Sequence, residues 1–320
     1  MLTDPGVARA AVVGAGLMGS RIAGVLAAGG LRVALHDSRA GILPAAVETA
    51  RETASDLAAG PGTATCPSAT AGPGEIVAAA DLADAVDGAD LVLEAIVEDL
   101  PAKQELFARL AEAAPGAILA TNTSVLPVGA VTALVADASR CIGTHWWNPP
   151  HLMPVVEVVP ATRTAAETAD RVEALLRVLG KLPVRVRRDL PGFIGNRLQH
   201  ALWREAVALV ADGVCDAATV DLVVRNTIGL RLACVGPIEN ADFVGLDLTL
   251  AIHDAVLPSL NREPGPSPLL RELVARGDLG AKTGQGFLTW PPHARQASAD
   301  RLSAHVSAQL ERPCPPAATP

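Results

Sequence analysis

The residues best suited to chemistry in this 320-residue chain lie in two places, a glycine-rich turn near the start and a histidine–glutamate pair near the middle. Gly14-Ala15-Gly16-Leu17-Met18-Gly19 follows a short Val-rich run and opens a helical pattern, the spacing that suits a dinucleotide pyrophosphate. Gly14 permits the tight turn, Gly16 lets the backbone approach the phosphates, and Gly19 lets helix pack closely on strand. The helix N-terminus adds unpaired N–H groups and a positive dipole end. Asp37 closes the second apolar run about 20 residues on, where a carboxylate accepts hydrogen bonds from the adenosine ribose and repels a 2′-phosphate. NAD is therefore preferred over NADP. Two alternatives stay open: Arg39 stands where an arginine can turn toward a phosphate, and Asp37 also suits a helix cap.

The second place is Gly143-Thr144-His145-Trp146-Trp147-Asn148-Pro149-Pro150, which leads through His151-Leu152-Met153-Pro154 to Glu157. His145 falls at the end of one predicted strand and Glu157 inside the next, so a short loop brings them together. A glutamate bonded to one imidazole nitrogen fixes the tautomer and leaves the other nitrogen as a base. Glu157 alone also reads as a water-facing edge residue, and Ser124 and Asn196 as a turn residue and a helix cap. Lys103 alone reads as part of a solvated helix face. Trp146 and Trp147 are ambiguous between core and pocket wall. The remaining histidines (His36, His151, His200, His253, His293, His305) read as surface or core residues.

The elements that must position these groups follow from periodicity. Strands are predicted at 10–13, 32–36, 91–94, 117–121, 140–144 and 155–159, alternating with helices such as 101–113 and 166–179. That is the pattern of parallel βαβ units, an α/β doubly wound sheet. Residues 60–74 form a Gly/Pro/Thr-rich loop. After Asp189-Leu190-Pro191-Gly192 the apolar residues fall at helical spacing, so an all-α C-terminal domain is expected. The boundaries are a nucleotide-binding domain over 1–188, a helical domain over 189–292, and an extension over 293–320 that ends in a frayed tail.

Composition excludes several function classes. The chain is half hydrophobic, with 28 Gly and 25 Pro dispersed along it, which argues for a folded protein. A net charge of −8 with no basic cluster speaks against nucleic acid. No apolar run approaches the roughly 20 residues of a membrane span, and the first strand begins too early for a signal peptide, so a cytoplasmic protein is expected. The five cysteines are widely spaced and suggest neither a disulfide framework nor a metal site.

Taken together, the 14–19 turn, Glu94-Ala95-Ile96-Val97-Glu98 with Lys103, Asn122-Thr123-Ser124, His145 with Asn148-Pro149, Glu157, Pro191-Gly192-Phe193-Ile194-Gly195-Asn196-Arg197 and Lys282-Thr283-Gly284-Gln285-Gly286-Phe287 resemble the L-3-hydroxyacyl-CoA dehydrogenase family, with its gulonate, carnitine and lens lambda-crystallin relatives. The resemblance implies a Rossmann-type domain followed by a helical one, with the active site in the cleft between them and a homodimer formed through the helical domain. It implies that His145 is the general base, Glu157 its partner, and Ser124 and Asn196 the donors to the reacting oxygen. It also implies a cofactor set of Gly14, Gly16, Leu17, Met18, Gly19, Asp37, Glu98, Lys103, Ser124, Asn148 and Lys282, with NAD as cofactor and no metal. The implied reaction is oxidation of a secondary L-3-hydroxyl, or reduction of the ketone, on a 3-hydroxyacyl thioester of fatty acid metabolism.

One region departs from that pattern. Residues 41–80 hold no lysine and one arginine, Arg51, where the coenzyme A-using relatives carry several cations. A small free 3-hydroxy acid, with an anion clamp among Arg197, Arg225 or Arg231, or a carrier-bound acyl group, is the alternative substrate. A structural NAD-binding role without catalysis is the non-enzyme alternative, against which the intact Ser124, His145, Glu157 and Asn196 set stands.

Overall fold

A computed structural model describes residues 6–59 and 72–311. The chain runs β1 (Arg9–Val13), α1 (Leu17–Ala28), β2 (Arg32–His36), α2 (Leu43–Ala59), β3 (Ile76–Ala78), α3 (Leu82–Val86), β4 (Leu91–Glu94), α4 (Leu100–Ala113), β5 (Ile118–Thr121), α5 (Val128–Val131), β6 (Cys141–Trp146), β7 (Val155–Val159), α6 (Ala166–Val178) and β8 (Leu182–Arg185). The strands form one sheet in the order β3-β2-β1-β4-β5-β6-β7-β8. The reversal beside β1 places the first βα turn at the switch point where such sheets bind ligands.

Strands such as β4, β5 and β6 are buried along their whole length because helices cover both faces, which is why they read as continuous apolar runs. One core lies under α1, α2 and α6 (Ile22, Leu26, Leu35, Leu93, Leu176), and a second under α3 and α4 (Val92, Phe107, Leu110, Leu119).

Three features differ from the parallel βαβ expectation. β6 and β7 are antiparallel, because the connection from Trp147 to Pro154 is too short for a crossover. β3 and β8 were not expected as strands: β3 spans only Ile76–Ala78, and β8 is an exposed edge containing Pro183, both too short or too polar to show alternation. Most of the 60–74 loop lies outside the described residues.

By contacts the chain divides into Met1–Arg197 and Leu198–Pro320. Asn196 thus belongs to the first unit. Helix α7 (Gly195–Ala211) crosses the division, and α8 (Ala217–Asn226), α9 (Ile228–Leu232), α10 (Pro237–Val244), α11 (Leu246–Val256), α12 (Pro268–Arg276) and α13 (Ala294–Glu311) make up the second unit. Among its described residues only Ala208 and Leu273 are buried apolar side chains, while Phe243 and Ile238 are 85% and 76% exposed. The tail after Glu311 lies outside the described residues. Cys141 and Cys215 are free thiols, but Cys234 is disulfide-bonded, contrary to the reading of the cysteine spacing.

Candidate active site

The glycine turn has the shape its sequence requires. Gly14 sits at φ +106°, and a Cβ there would lie 2.5 Å from the carbonyl of Ala95. A Cβ at Gly19 would lie 1.8 Å from the carbonyl of Gly14, so helix α1 packs on the turn only because this position is bare. Gly16 has nothing within 4 Å of its would-be Cβ, leaving an open approach at the N-cap of α1. No side chain caps that end. A crowded turn with one open face and uncapped N–H groups fits a pyrophosphate.

Asp37 is buried beside this turn. Its Oδ2 accepts the Ala15 N–H at 2.9 Å, and its Oδ1 accepts the backbone N–H and Nε of Arg39 at 2.9 and 3.1 Å. Burial alone would raise this carboxyl, but the Arg39 guanidinium and the N–H groups of Arg39 and Ala15 outweigh it and hold Asp37 below the ordinary value. Asp37 is charged at neutral pH and occupies Arg39, which removes the cation that would recruit a 2′-phosphate.

Beyond β4 lies a network of buried charges. Glu94, fully buried, accepts from Lys103 Nζ at 2.5 Å, Thr121 Oγ1 at 2.7 Å and the Ile96 N–H at 2.7 Å. Lys103 is 1% exposed and also meets Glu98 at 3.3 Å. It is no solvated residue; its ammonium lies beneath Glu98. One oxygen of Glu98 accepts the Thr123 hydroxyl at 2.6 Å and the N–H groups of Ser124 and Val125 at 2.9 and 3.0 Å. Burial pushes the Glu98 carboxyl up, and these donors with Lys103 pull it below the usual range. The result is an ionised carboxylate holding the turn that presents Ser124.

His145 and Glu157 face each other directly in the β6–β7 ladder, and both are 3% exposed. Nδ1 of His145 lies 2.7 Å from Glu157 Oε2. The other oxygen, Oε1, accepts the N–H groups of Ile194 and Gly195 at 2.9 and 3.2 Å. Burial opposes charge on Glu157, but His145 and the two N–H groups prevail and keep its pKa low. With Nδ1 committed as donor, Nε2 is left as the basic nitrogen. Asn196 Nδ2 donates to the Ser124 carbonyl at 2.8 Å and stands 3.5 Å from His145 Nε2. Glu157 on Nδ1 and Asn196 beside Nε2, with the Ser124 backbone bonded to Asn196, thus gather three separate stretches of sequence around one imidazole ring.

The 147–154 loop carries exposed Asn148, joined to Pro149 by a cis peptide. Buried Lys181 straps this loop, donating to the carbonyls of Pro150, His151 and Met153 at 2.7, 3.4 and 3.0 Å. Lys282 belongs to the second unit and is exposed.

The family model for the 3-hydroxyacyl-CoA dehydrogenase NAD-binding domain matches residues 9–190, and that for the C-terminal domain of the same enzymes matches residues 192–290. The chain belongs to the 3-hydroxyacyl-CoA dehydrogenase family. It is an NAD-dependent oxidoreductase acting on a CH–OH group. Among curated relatives, 5-formyl-3-hydroxy-2-methylpyridine 4-carboxylate 5-dehydrogenase of Mesorhizobium japonicum is 35% identical over 90% of this chain and 92% of its own. A solved structure of such a 5-dehydrogenase, described as an NAD+-dependent dismutase, superposes with a TM-score of 0.88 at 32% identity, over 96% of this chain and 99% of its own. (S)-3-hydroxybutyryl-CoA dehydrogenase from Ralstonia eutropha superposes at 0.68 and 31% identity, over 89% of this chain and 99% of its own.

Of the residues expected from sequence, the fold brings together His145, Glu157, Ser124, Asn196 and Glu98. Sequence reasoning gave no role of their own to Glu94, Asn122, Lys181 and Asp189. Asn122 Oδ1 accepts the Trp146 N–H at 3.0 Å, joining the Ser124 turn to the end of β6. Asp189 accepts the N–H groups of Val128 and Gly129 at 2.9 and 2.7 Å. A signal existed for Lys181: the chain has only three lysines, Lys103, Lys181 and Lys282, so each stands out.

Proposed function

We propose that the chain oxidises a secondary hydroxyl, or reduces the corresponding ketone, with His145 as the acid–base group. The observation that carries this reading is the commitment of His145 Nδ1 to Glu157 at 2.7 Å, which leaves Nε2 free beside Asn196. Nε2 takes the hydroxyl proton, and Glu157 stabilises the imidazolium that results. Ser124 and Asn196 stand as donors to the reacting oxygen. Bound NAD supplies the hydride acceptor. Gly14, Gly16, Leu17, Met18 and Gly19 would hold its pyrophosphate, Asp37 its ribose, and Glu98, Ser124 and Asn148 the nicotinamide end. Lys103 serves by placing Glu98.

The family supports an L-3-hydroxyacyl thioester as substrate, which belongs to fatty acid metabolism. A second reading, a small carboxylated substrate not joined to coenzyme A, is favoured by a specific observation. The one cation in the described part of residues 41–80 is Arg51, and it donates to the carbonyl of Ile76 at 3.2 Å, leaving no lysine for a nucleotide phosphate. The extensive match to the pyridine carboxylate dehydrogenase points the same way. Formation of reduced cofactor with L-3-hydroxybutyryl-CoA, free L-3-hydroxy acids and hydroxymethyl- or formylpyridine carboxylates separates the two. Turnover of the thioester alone removes the second reading, and turnover of free acids alone removes the first.

The working unit is a homodimer formed through the helical unit. Leu230, Ile238, Phe243 and Leu246 are each more than 60% exposed there, too much apolar surface for a solitary helical domain. Among the described residues no helix is long and apolar enough to cross a membrane. A cytoplasmic location, with access to an NAD pool, is part of this reading.

A further inference from the structure

Gly195 opens α7 with the indole of Trp147 filling the place of a side chain. A Cβ built there would lie 2.2 Å from Trp147 Cζ2 and 2.8 Å from Cη2. No residue larger than glycine fits unless the indole moves. The Gly195 N–H meanwhile donates to Glu157, so one residue both holds the carboxylate behind His145 and seats the indole beside it.

That indole lies 4.8 Å from the His145 ring between centroids, tilted by 58°. Its neighbour Trp146 is 3% exposed and packs into the sheet core with Val156 and Leu176. Trp147 is only half-buried and keeps part of its surface open beside the imidazole. This flat, electron-rich ring, seated against Gly195, leaves its exposed part beside the imidazole for a substrate whose carbinol meets Nε2. An aromatic substrate gains offset or edge-on stacking there, whereas a flexible acyl chain gains contact area alone.

We propose that Trp147, seated on Gly195, is the specificity-determining residue of the site, favouring a substrate whose reacting carbon is borne on a flat, electron-poor aromatic ring over one whose carbinol lies in an acyl chain. This rests on the second substrate reading above and gives it a residue.

The test compares wild type, Trp147→Leu, Gly195→Ala and the double variant, using full-length protein. It measures kcat/KM for 5-formyl-3-hydroxy-2-methylpyridine 4-carboxylate, whose hydrate presents the CH–OH, and for L-3-hydroxybutyryl-CoA. It also measures the Kd of pyridine-4-carboxylate in the presence of NADH. Trp147→Leu is expected to lower the ring-to-thioester ratio about two- to tenfold and to weaken pyridine-4-carboxylate by a similar factor. Gly195→Ala should act in the same direction by displacing the indole, and the double variant should be no worse than Trp147→Leu, since both changes remove one contact. If both rates fall while the ratio and the Kd stay fixed, Trp147 is packing only and the proposal is overturned. Absence of turnover of the ring compound by wild type would remove the substrate reading; equal binding of pyridine-4-carboxylate by wild type and Trp147→Leu would remove this inference even where the ring compound reacts.

Discussion

Glu98 holds Ser124 by its backbone: one carboxylate oxygen accepts the Ser124 N–H at 2.9 Å, together with the Thr123 hydroxyl and the Val125 N–H. Ser124 is therefore aimed by a carboxylate that is itself held from below by Lys103. Glu98→Ala removes the acceptor of three donors, of which the Thr123 hydroxyl is buried, and leaves Lys103 with Glu94 alone; a buried donor left unsatisfied costs about 1–3 kcal/mol. The variant should melt lower and lose more than about tenfold in kcat/KM, while Glu98→Gln, which retains an acceptor oxygen, should fall between. Steady-state kinetics with a thermal melt checks this, and a wild-type kcat/KM in Glu98→Ala would refute the role.

His145→Ala should lower kcat by about 10²–10⁴, the usual worth of a positioned acid–base group. NAD binding should persist, because Asp37 and the glycine turn are untouched. Glu157→Gln should lose less, since the amide still accepts from the N–H groups of Ile194 and Gly195 but no longer stabilises an imidazolium. Stopped-flow hydride transfer and cofactor titration give both quantities; an unimpaired His145→Ala enzyme would end the assignment.

Asp37→Ser releases Arg39 from its 3.1 Å ion pair and removes the carboxylate that repels a 2′-phosphate. The ratio of kcat/KM for NADP to that for NAD should rise at least about tenfold, equivalent to ~1.4 kcal/mol. Arg39→Ala added to Asp37→Ser should reverse most of the gain. If it does not, Arg39 is no phosphate ligand.

Two bases of the 147–154 region, half-buried His151 within the loop and buried Lys181 against it, give stability a pH dependence. Burial, reinforced by Arg21 and Lys181, pushes His151 down from 6.5 to about 4. The unfolded chain then binds the extra proton first, so stability is full above pH 6.5 and is lost as pH falls toward 4. Burial likewise lowers Lys181 from 10.5 to about 8, so stability rises as pH climbs between those values. Urea midpoints should show the acid loss in wild type and its absence in His151→Asn. The alkaline gain should be absent in Lys181→Met. Parallel pH curves in all three proteins would contradict the account.

The exposed apolar residues of α9–α11 predict that purified protein has twice the chain mass by light scattering. Phe243→Asp, at a position 85% exposed, should shift that mass toward the monomer without unfolding the first unit. A monomeric wild type at micromolar concentration would overturn the dimer.

Much of this architecture was legible because the information is local. β1, β2, β4, β5, β6 and β7 are apolar runs, and the glycine turn has fixed spacing. His145 and Glu157 could be paired because only a short loop separates their strands. Glu94 and Lys103 were harder: nothing in a single sequence says that two opposite charges nine residues apart are fully buried against each other, and Lys103 alone looks like a solvated helix residue. Lys181 binds carbonyls 28 to 31 residues away, a relation that no periodicity encodes. The two tryptophans were indistinguishable as letters. Strand geometry sent Trp146 into the core, and the missing side chain at Gly195 received Trp147.

Because His145 and Glu157 are cross-strand partners in an antiparallel ladder, their meeting depends on the register of β6 and β7 and not on the path of the residues between them. The turn joining the two strands can lengthen, shorten or change composition without separating base from carboxylate, provided the pairing holds. Inheritance of the proton-transfer machinery is thereby uncoupled from innovation in the segment that carries Trp147 and Asn148. A lineage can try new substrates in that turn while the ladder keeps the reaction itself unchanged.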